Sequence, residues 1–188
     1  YDRWASTYDT DHDEWGWRGP HAAADCLMLH GSGSVVLDAG CGTGQVGVAL
    51  RSCGFEGDLI GVDFSSGMLA TAARQGVYDQ LVHATIRDLP LAESSVDAVI
   101  STGVFTHGHV GGEAFSELVR VGGHGSVAVI TVRQDIADNL MVYAETLEAA
   151  GRWQLVERSK PQQLHPSRDE ALQSLVVWRI LALGNEAT

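Results

Sequence analysis

From residue 34 onward, short apolar runs rich in β-branched residues are each followed by a glycine-rich or acidic turn and then by a stretch with helical spacing. The runs span residues 35–39, 59–62, 81–86, 96–101 and 126–132, and the helical stretches span 45–52, 66–74, 113–119 and 136–150. Strands apolar on both faces, alternating with helices, predict a parallel sheet covered on both sides. Residues 153–158 and 174–183 then read as two further strands joined by the polar stretch 161–170, with no helix between them. These should be antiparallel neighbours. The expected fold is therefore a seven-stranded, doubly wound α/β sheet ending in an antiparallel pair. The first thirty residues are polar, aromatic and acidic, with helical spacing at 22–29, and predict an N-terminal helical cap ahead of a core that starts at residue 34.

Composition narrows the function classes. A chain of 188 residues with 45% hydrophobic and 19% charged positions fits one globular domain over 1–188. Twelve basic against 24 acidic side chains give a net charge of -12, a field that repels phosphate backbones and anionic headgroups. Nucleic acid and membrane surfaces are accordingly not expected as partners, and a monomer is the default. Cys26, Cys41 and Cys53 have neither CxxC nor metal-ligand spacing, which fits a reducing compartment, the cytoplasm or nucleus. The opening Tyr1-Asp2-Arg3-Trp4 reads as if cut into a helix, with residues expected before it.

The segment carrying chemistry is Val35-Val36-Leu37-Asp38-Ala39-Gly40-Cys41-Gly42-Thr43-Gly44. An apolar strand ends in a carboxylate, and glycines at alternate positions let the backbone turn tightly and approach a ligand at the next helix's N-terminus. A turn serving packing alone would leave Asp38 without a partner at a buried strand end, which is costly. Dinucleotide binding is a stronger rival, because Gly42-Thr43-Gly44-Gln45-Val46-Gly47 matches GxGxxG and Asp63 follows at about the twenty-residue interval of a ribose-binding acid. Asp38, however, would face a pyrophosphate as a like charge. A cationic ligand fits better.

On these residues the chain resembles the class I S-adenosylmethionine-dependent methyltransferases. VLDAGCGTG is similar to their first motif and GVDFSSGMLATAA to their second, while Leu89-Pro90-Leu91, Ser95 to Ile100, and Glu117-Leu118-Val119-Arg120-Val121-Gly122-Gly123 are similar to later ones. The opening YDRWASTYDTD, Gly76-Val77-Tyr78 and Ile130-Thr131-Val132-Arg133 resemble one subfamily. A sulfonium-bearing cofactor without phosphate agrees with the sign of Asp38.

The resemblance implies a Rossmann-like domain that binds S-adenosylmethionine and releases S-adenosylhomocysteine. It implies that Asp38 and the turn Gly40, Cys41, Gly42, Thr43 and Gly44 hold the methionine moiety, directly or through water. Asp63 would accept both ribose hydroxyls, which suits a carboxylate with two acceptor oxygens. Phe64 and Met68 would flank the adenine, with core packing as the competing reading. Many relatives carry an aspartate where Thr85 stands, so adenine would be read by the Thr85 hydroxyl and the Ile86 N–H; Asp88 reads as solvated. Ser101, Thr102 and Gly103, at the end of the fourth strand, should line the pocket.

Trp4 and Tyr8, four apart, match an element covering the methionine end like a lid, although Trp4 could equally pack on the sheet. His107, then His109, in the glycine-rich loop after the fourth strand, are the candidate bases for an acceptor that must lose a proton; two solvated histidines are the alternative. No NPPY-like tetrapeptide follows that strand, where Ser101-Thr102-Gly103-Val104 stands. The expected acceptor is a small molecule or a protein side chain. A non-catalytic cofactor-binding module and an NAD-type Rossmann enzyme stay open beside the transferase.

Overall fold

The computed structural model describes residues 16–106, 110–166 and 172–181. Among these, seven strands form one sheet: β1 (Val35–Ala39), β2 (Asp58–Asp63), β3 (Gln80–His83), β4 (Val96–Ser101), β5 (Gly122–Arg133), β6 (Trp153–Arg158) and β7 (Gln173–Ile180). The order is β3-β2-β1-β4-β5-β7-β6. β1 to β5 run parallel, and β7 is antiparallel to both β5 and β6. The direction of winding reverses between β1 and β4, which opens a crevice at the strands' carboxyl ends.

The helices are α1 (Gly19–His30), α2 (Gln45–Ser52), α3 (Ser66–Gln75), α4 (Phe115–Val121) and α5 (Ala137–Ala149), with one 3-10 turn, Gly112–Ala114, leading into α4. Period-two alternation along the strands divides the core. Val36, Ala98, Ile100, Val127, Val129 and Val177 meet Leu27 of α1 and Leu50 of α2 on one face. Leu37, Val99, Ala128, Ile130, Val176 and Trp178 meet Phe115 and Leu118 of α4 and Leu140 of α5 on the other. Each fully buried Val, Leu, Ile or Phe among them contributes about 1.5–3 kcal/mol. α1, within the expected N-terminal helical cap, is therefore part of the layer covering one face of the sheet.

An aromatic cluster fixes the antiparallel end. Trp153 and Trp178 stack at 4.5 Å and Phe115 tilts against both. The Trp153 indole donates to the Ala144 carbonyl at 2.9 Å, tying β6 to α5. Two sequence expectations shift. β3 stops at His83 and not at residue 86: the Ala84 N–H makes the last bond to β2, at the Asp63 carbonyl, and Thr85 then pairs with Asp88 in a tight turn. β5 starts four residues early, since Gly122 already pairs with Val96 across an irregularity in the ladder. Among the described residues, no helix is long and apolar enough to cross a membrane.

Candidate active site

β1 ends in the turn Gly40 to Gly44, which delivers the chain to α2. Gly40, Gly42 and Gly44 all have positive φ. A Cβ on Gly40 would also lie 2.2 Å from Val104, so the turn can close against β4's end only with glycine there. The N–H groups of Gly40 and Cys41 both donate to the Val62 carbonyl, at 2.8 and 3.0 Å, which pins the turn beside β2.

Asp63 closes the arrangement. Its Oδ2 accepts the Gly42 N–H at 2.9 Å and its Oδ1 accepts the Ser65 N–H at 2.8 Å. Burial raises its pKa, opposed by those N–H groups and that of Phe64. The carboxylate keeps acceptor capacity for a further donor. Asp63 does not cap α3: Ser65 does, accepting the Met68 N–H at 3.1 Å.

The carboxylate of Asp38 is fully buried. Its Oδ2 accepts from the Tyr78 hydroxyl at 2.6 Å, whereas its Oδ1 has no hydrogen-bond partner. Desolvation, offset in part by Tyr78 and reinforced by the charge of Asp63, pushes its pKa up to about 7. Tyr78 was not picked out as a site residue in the sequence. It arrives from the connection between α3 and β3 and also accepts the Gly47 N–H at 3.2 Å. Its ring occupies the space that Cβ atoms on Gly47 and Gly61 would need, at 2.6 and 2.9 Å. The third glycine of the GxGxxG pattern thus makes room for a tyrosine. Arg51 braces the residues on either side of Tyr78, donating to the Val77 carbonyl and to the Asp79 carboxylate while also holding the carbonyls of Phe55 and Gly57.

A solvent-open cleft of about 640 Å3, the water at its mouth included, runs along the strand ends. Of the predicted residues it brings together Gly40, Gly42, Asp63, Phe64, Met68, Thr85, Ile86, Thr102 and Gly103, and it adds Ala84, Val104 and Val110, which sequence reasoning had not singled out. Phe64 stands exposed at the rim, 62% accessible, while Met68, at 2%, contributes both to the floor and to the packing beneath it. Among the described residues, the lining carries no lysine or arginine.

Other predicted residues lie behind the cleft. Cys41 and Thr43 are buried within the turn, and the Cys41 thiol is held protonated by burial and by Asp38 and Asp63. Gly44 packs against Tyr78 and Ala72. Ser101 is a correction: it is fully buried, and its hydroxyl donates to the Ala39 carbonyl at 2.7 Å, tying β4 to β1 with no surface on the cleft. Asp88 is exposed and does not line the cleft. Trp4, Tyr8, His107 and His109 lie outside the described residues.

Two later motifs prove to be one structural device. Arg120 pairs with Glu117 and donates to the carbonyls of Leu89 and Leu91, while Glu117 accepts the Leu89 N–H at 3.0 Å. The Leu89-Pro90-Leu91 segment, and with it the cleft wall at Thr85 and Ile86, is thereby fastened to α4.

Comparison with known proteins agrees with this architecture. The family described as "Methyltransferase domain" matches residues 37–130, half the chain. Methyltransferase-like protein 27 of Homo sapiens is 39% identical over 167 residues, 82% of this chain and 66% of that protein. The malonyl-acyl-carrier protein O-methyltransferase of Pectobacterium atrosepticum is 43% identical over 75 residues, 40% of this chain and 29% of that protein. The chain thus spans less than two thirds of the length of these curated relatives. Among solved structures, a chain of the Haloferax volcanii complex between the Trm112 methyltransferase activator and a methyltransferase superposes with a TM-score of 0.75 at 20% identity, covering 98% of this chain and 97% of that one. An S-adenosyl-L-methionine-dependent methyltransferase of Methanococcus maripaludis gives 0.71 at 16% identity, covering 100% and 95%. The motif turn, the carboxylates at the ends of β1 and β2 and these matches lead to one conclusion: the chain belongs to the methyltransferase-domain family and has the fold of the S-adenosylmethionine-dependent methyltransferases.

Proposed function

We propose that the cleft binds S-adenosylmethionine and that the chain transfers its methyl group to a small-molecule or protein acceptor. The observation that carries the reading is the unpartnered oxygen of buried Asp38 behind the glycine turn. A buried acceptor of this kind calls for a donor, and a cationic one suits it best. The cofactor's ammonium group is such a donor, reaching Asp38 directly or through a water. A diphosphate would meet Asp63 as a like charge in a cleft whose lining, among the described residues, offers no cation.

When bound, S-adenosylmethionine supplies a methyl group on a sulfonium whose departure needs no acid. The chain's own part is to bind, align and keep water away, which suffices for an in-line displacement. Asp63 offers two oxygens, already oriented by Gly42 and Ser65, to the ribose diol. Phe64 and Met68 present an aromatic face and a polarisable thioether to the adenine, and Thr85 with Ile86 offers hydrogen bonds to its edge. Thr102 and Gly103 face the remaining space, toward the acceptor. The sequence resemblance gives Trp4 and Tyr8 the role of covering the methionine end, and His107 would take a proton from an acceptor that carries one.

Calorimetric titration tests the binding half: S-adenosylmethionine and S-adenosylhomocysteine should bind and NAD should not. Binding of NAD alone defeats the reading. Release of S-adenosylhomocysteine on incubation with cell extract tests the transfer. Binding without release, across extracts and with an intact cleft, identifies a cofactor-binding module instead.

A further inference from the structure

We propose that Tyr78 is a positioning residue that holds Asp38 ready to trade a proton for the cofactor's ammonium group, so that cofactor capture releases a proton from the protein. This inference rests on the proposed function and extends it to a residue forty positions away from Asp38 in the chain.

The geometry is unusual for an aspartate meant to be an anion. Asp38 is fully buried, one oxygen has a single neutral donor and the other has none. The titratable groups facing it are Tyr78 from the α3–β3 connection, Cys41 in the turn and Asp63 at the end of β2. From the strands on either side the residues in register are Gly61 and Ile100, which carry no charge. α2 contributes only the Gly47 N–H, and that is spent on the Tyr78 oxygen. No cation is paired with Asp38 among the described residues, and the nearest charge that bears on it, Asp63, is of like sign. Burial under these conditions favours the neutral acid. An ammonium group beside Oδ1 reverses the balance, because the anion gains a charged partner that the acid cannot use.

The proton count closes simply. The ammonium keeps its protons, Asp38 passes from acid to carboxylate, and one proton leaves to solvent. Tyr78 makes the exchange possible without rearrangement. Its hydroxyl is kept protonated by burial and by Asp38, so it donates to Oδ2 in either state. The Gly47 N–H fixes the direction of that donation, and Arg51 holds the Val77 carbonyl and the Asp79 carboxylate on either side of the ring. Oδ1 is thus left without a partner behind the glycine turn, with the carboxyl plane fixed.

The test is titration calorimetry of the full chain with S-adenosylhomocysteine, in pairs of buffers of different ionisation heat. With the Asp38 midpoint at about 7, affinity should fall about tenfold from pH 8 to pH 6. Close to one proton should be released per ligand at pH 6, and few at pH 8. Asp38→Asn should bind more weakly, with neither the pH dependence nor the proton release. Tyr78→Phe should lose more affinity at pH 7 than at pH 8.5, because an acid deprived of its donor holds its proton more tightly. Flat affinity with no proton released by the wild type overturns the coupling while leaving the site intact. Persistence of both effects in Asp38→Asn assigns them elsewhere and also overturns it. A Tyr78→Phe loss equal at both pH values reduces Tyr78 to a packing role. Should that variant fail to fold, the proton counts of wild type and Asp38→Asn decide alone. Absence of ligand binding at every pH removes the proposed function and this inference together.

Discussion

An Asp38→Asn variant isolates the electrostatic cost of the buried acid in the ligand-free protein. Asparagine keeps the shape and still accepts from the Tyr78 hydroxyl, but it does not ionise. In the wild type the folded-state pKa of Asp38 is raised from 3.8 to about 7, first by desolvation. The native state then binds the proton more tightly than the unfolded chain. Stability from this group is fully present below about pH 4 and is lost as pH rises through about 7. Integrating the linkage between these two values, the loss from pH 5 to pH 8 comes to about 2.5 kcal/mol. The introduced amide leaves its own N–H groups short of partners, a cost of about 1–3 kcal/mol that is the same at every pH and leaves the slope untouched. Urea denaturation of both proteins at pH 5, 6, 7 and 8 yields the two profiles. The wild type should lose about 2.5 kcal/mol more than the variant across that range. Profiles that run parallel would refute the idea that Asp38 is a buried neutral acid in the empty cleft.

Asp63→Ala should weaken S-adenosylhomocysteine binding by about 1–3 kcal/mol through lost hydrogen bonds, measured by calorimetry; unchanged affinity removes Asp63 from the site. Gly47→Ala should drive the Tyr78 ring off Asp38, since a Cβ there lies 2.6 Å from it. The cost should be about 1–3 kcal/mol in denaturant titration, with cofactor affinity falling as well. Arg120→Ala leaves the carbonyls of Leu89 and Leu91 without their donor and should cost about 2 kcal/mol. It should also speed amide exchange between residues 85 and 91. Trp153→Ala removes a stacked indole and its bond to Ala144. It should destabilise the fold by about 3–5 kcal/mol with no change in cofactor affinity per folded molecule.

The residues that could be read directly were those whose role is written in contiguous chain. β1 and β4 have the bounds expected from the sequence because each is a short, predominantly apolar run with a polar residue, Asp38 or Ser101, at or next to its end. β3 is shorter than its sequence pattern because Ala84 and Ile86 prolong the apolar run; only the end of β2 at Asp63 and the Thr85–Asp88 turn show where the ladder stops. The glycine turn could be found because a carboxylate at a buried strand end, Asp38, needs a partner, and Asp63 because it stands about twenty residues further on, where a ribose-binding acid belongs. Ser101 could not be sorted from Thr102, since which of two adjacent hydroxyls points inward depends on the pleat of β4 against β1. Tyr78 was hidden more deeply. Its role is written in the absence of side chains at Gly47 and Gly61, and a missing Cβ tells nothing about what fills its place until the topology is known.

The position of β7 constrains how the chain can assemble. β6 is made before β7 yet touches the sheet only through it, since β7 lies between β5 and β6. During synthesis β5 therefore presents a long unpaired border, apolar on both sides from Val127 to Val132, until Gln173–Ile180 leaves the ribosome. Such a border invites pairing with foreign strands. The nascent protein is most in need of chaperone protection during that interval, after its ligand-binding half has been synthesised and before the sheet can close.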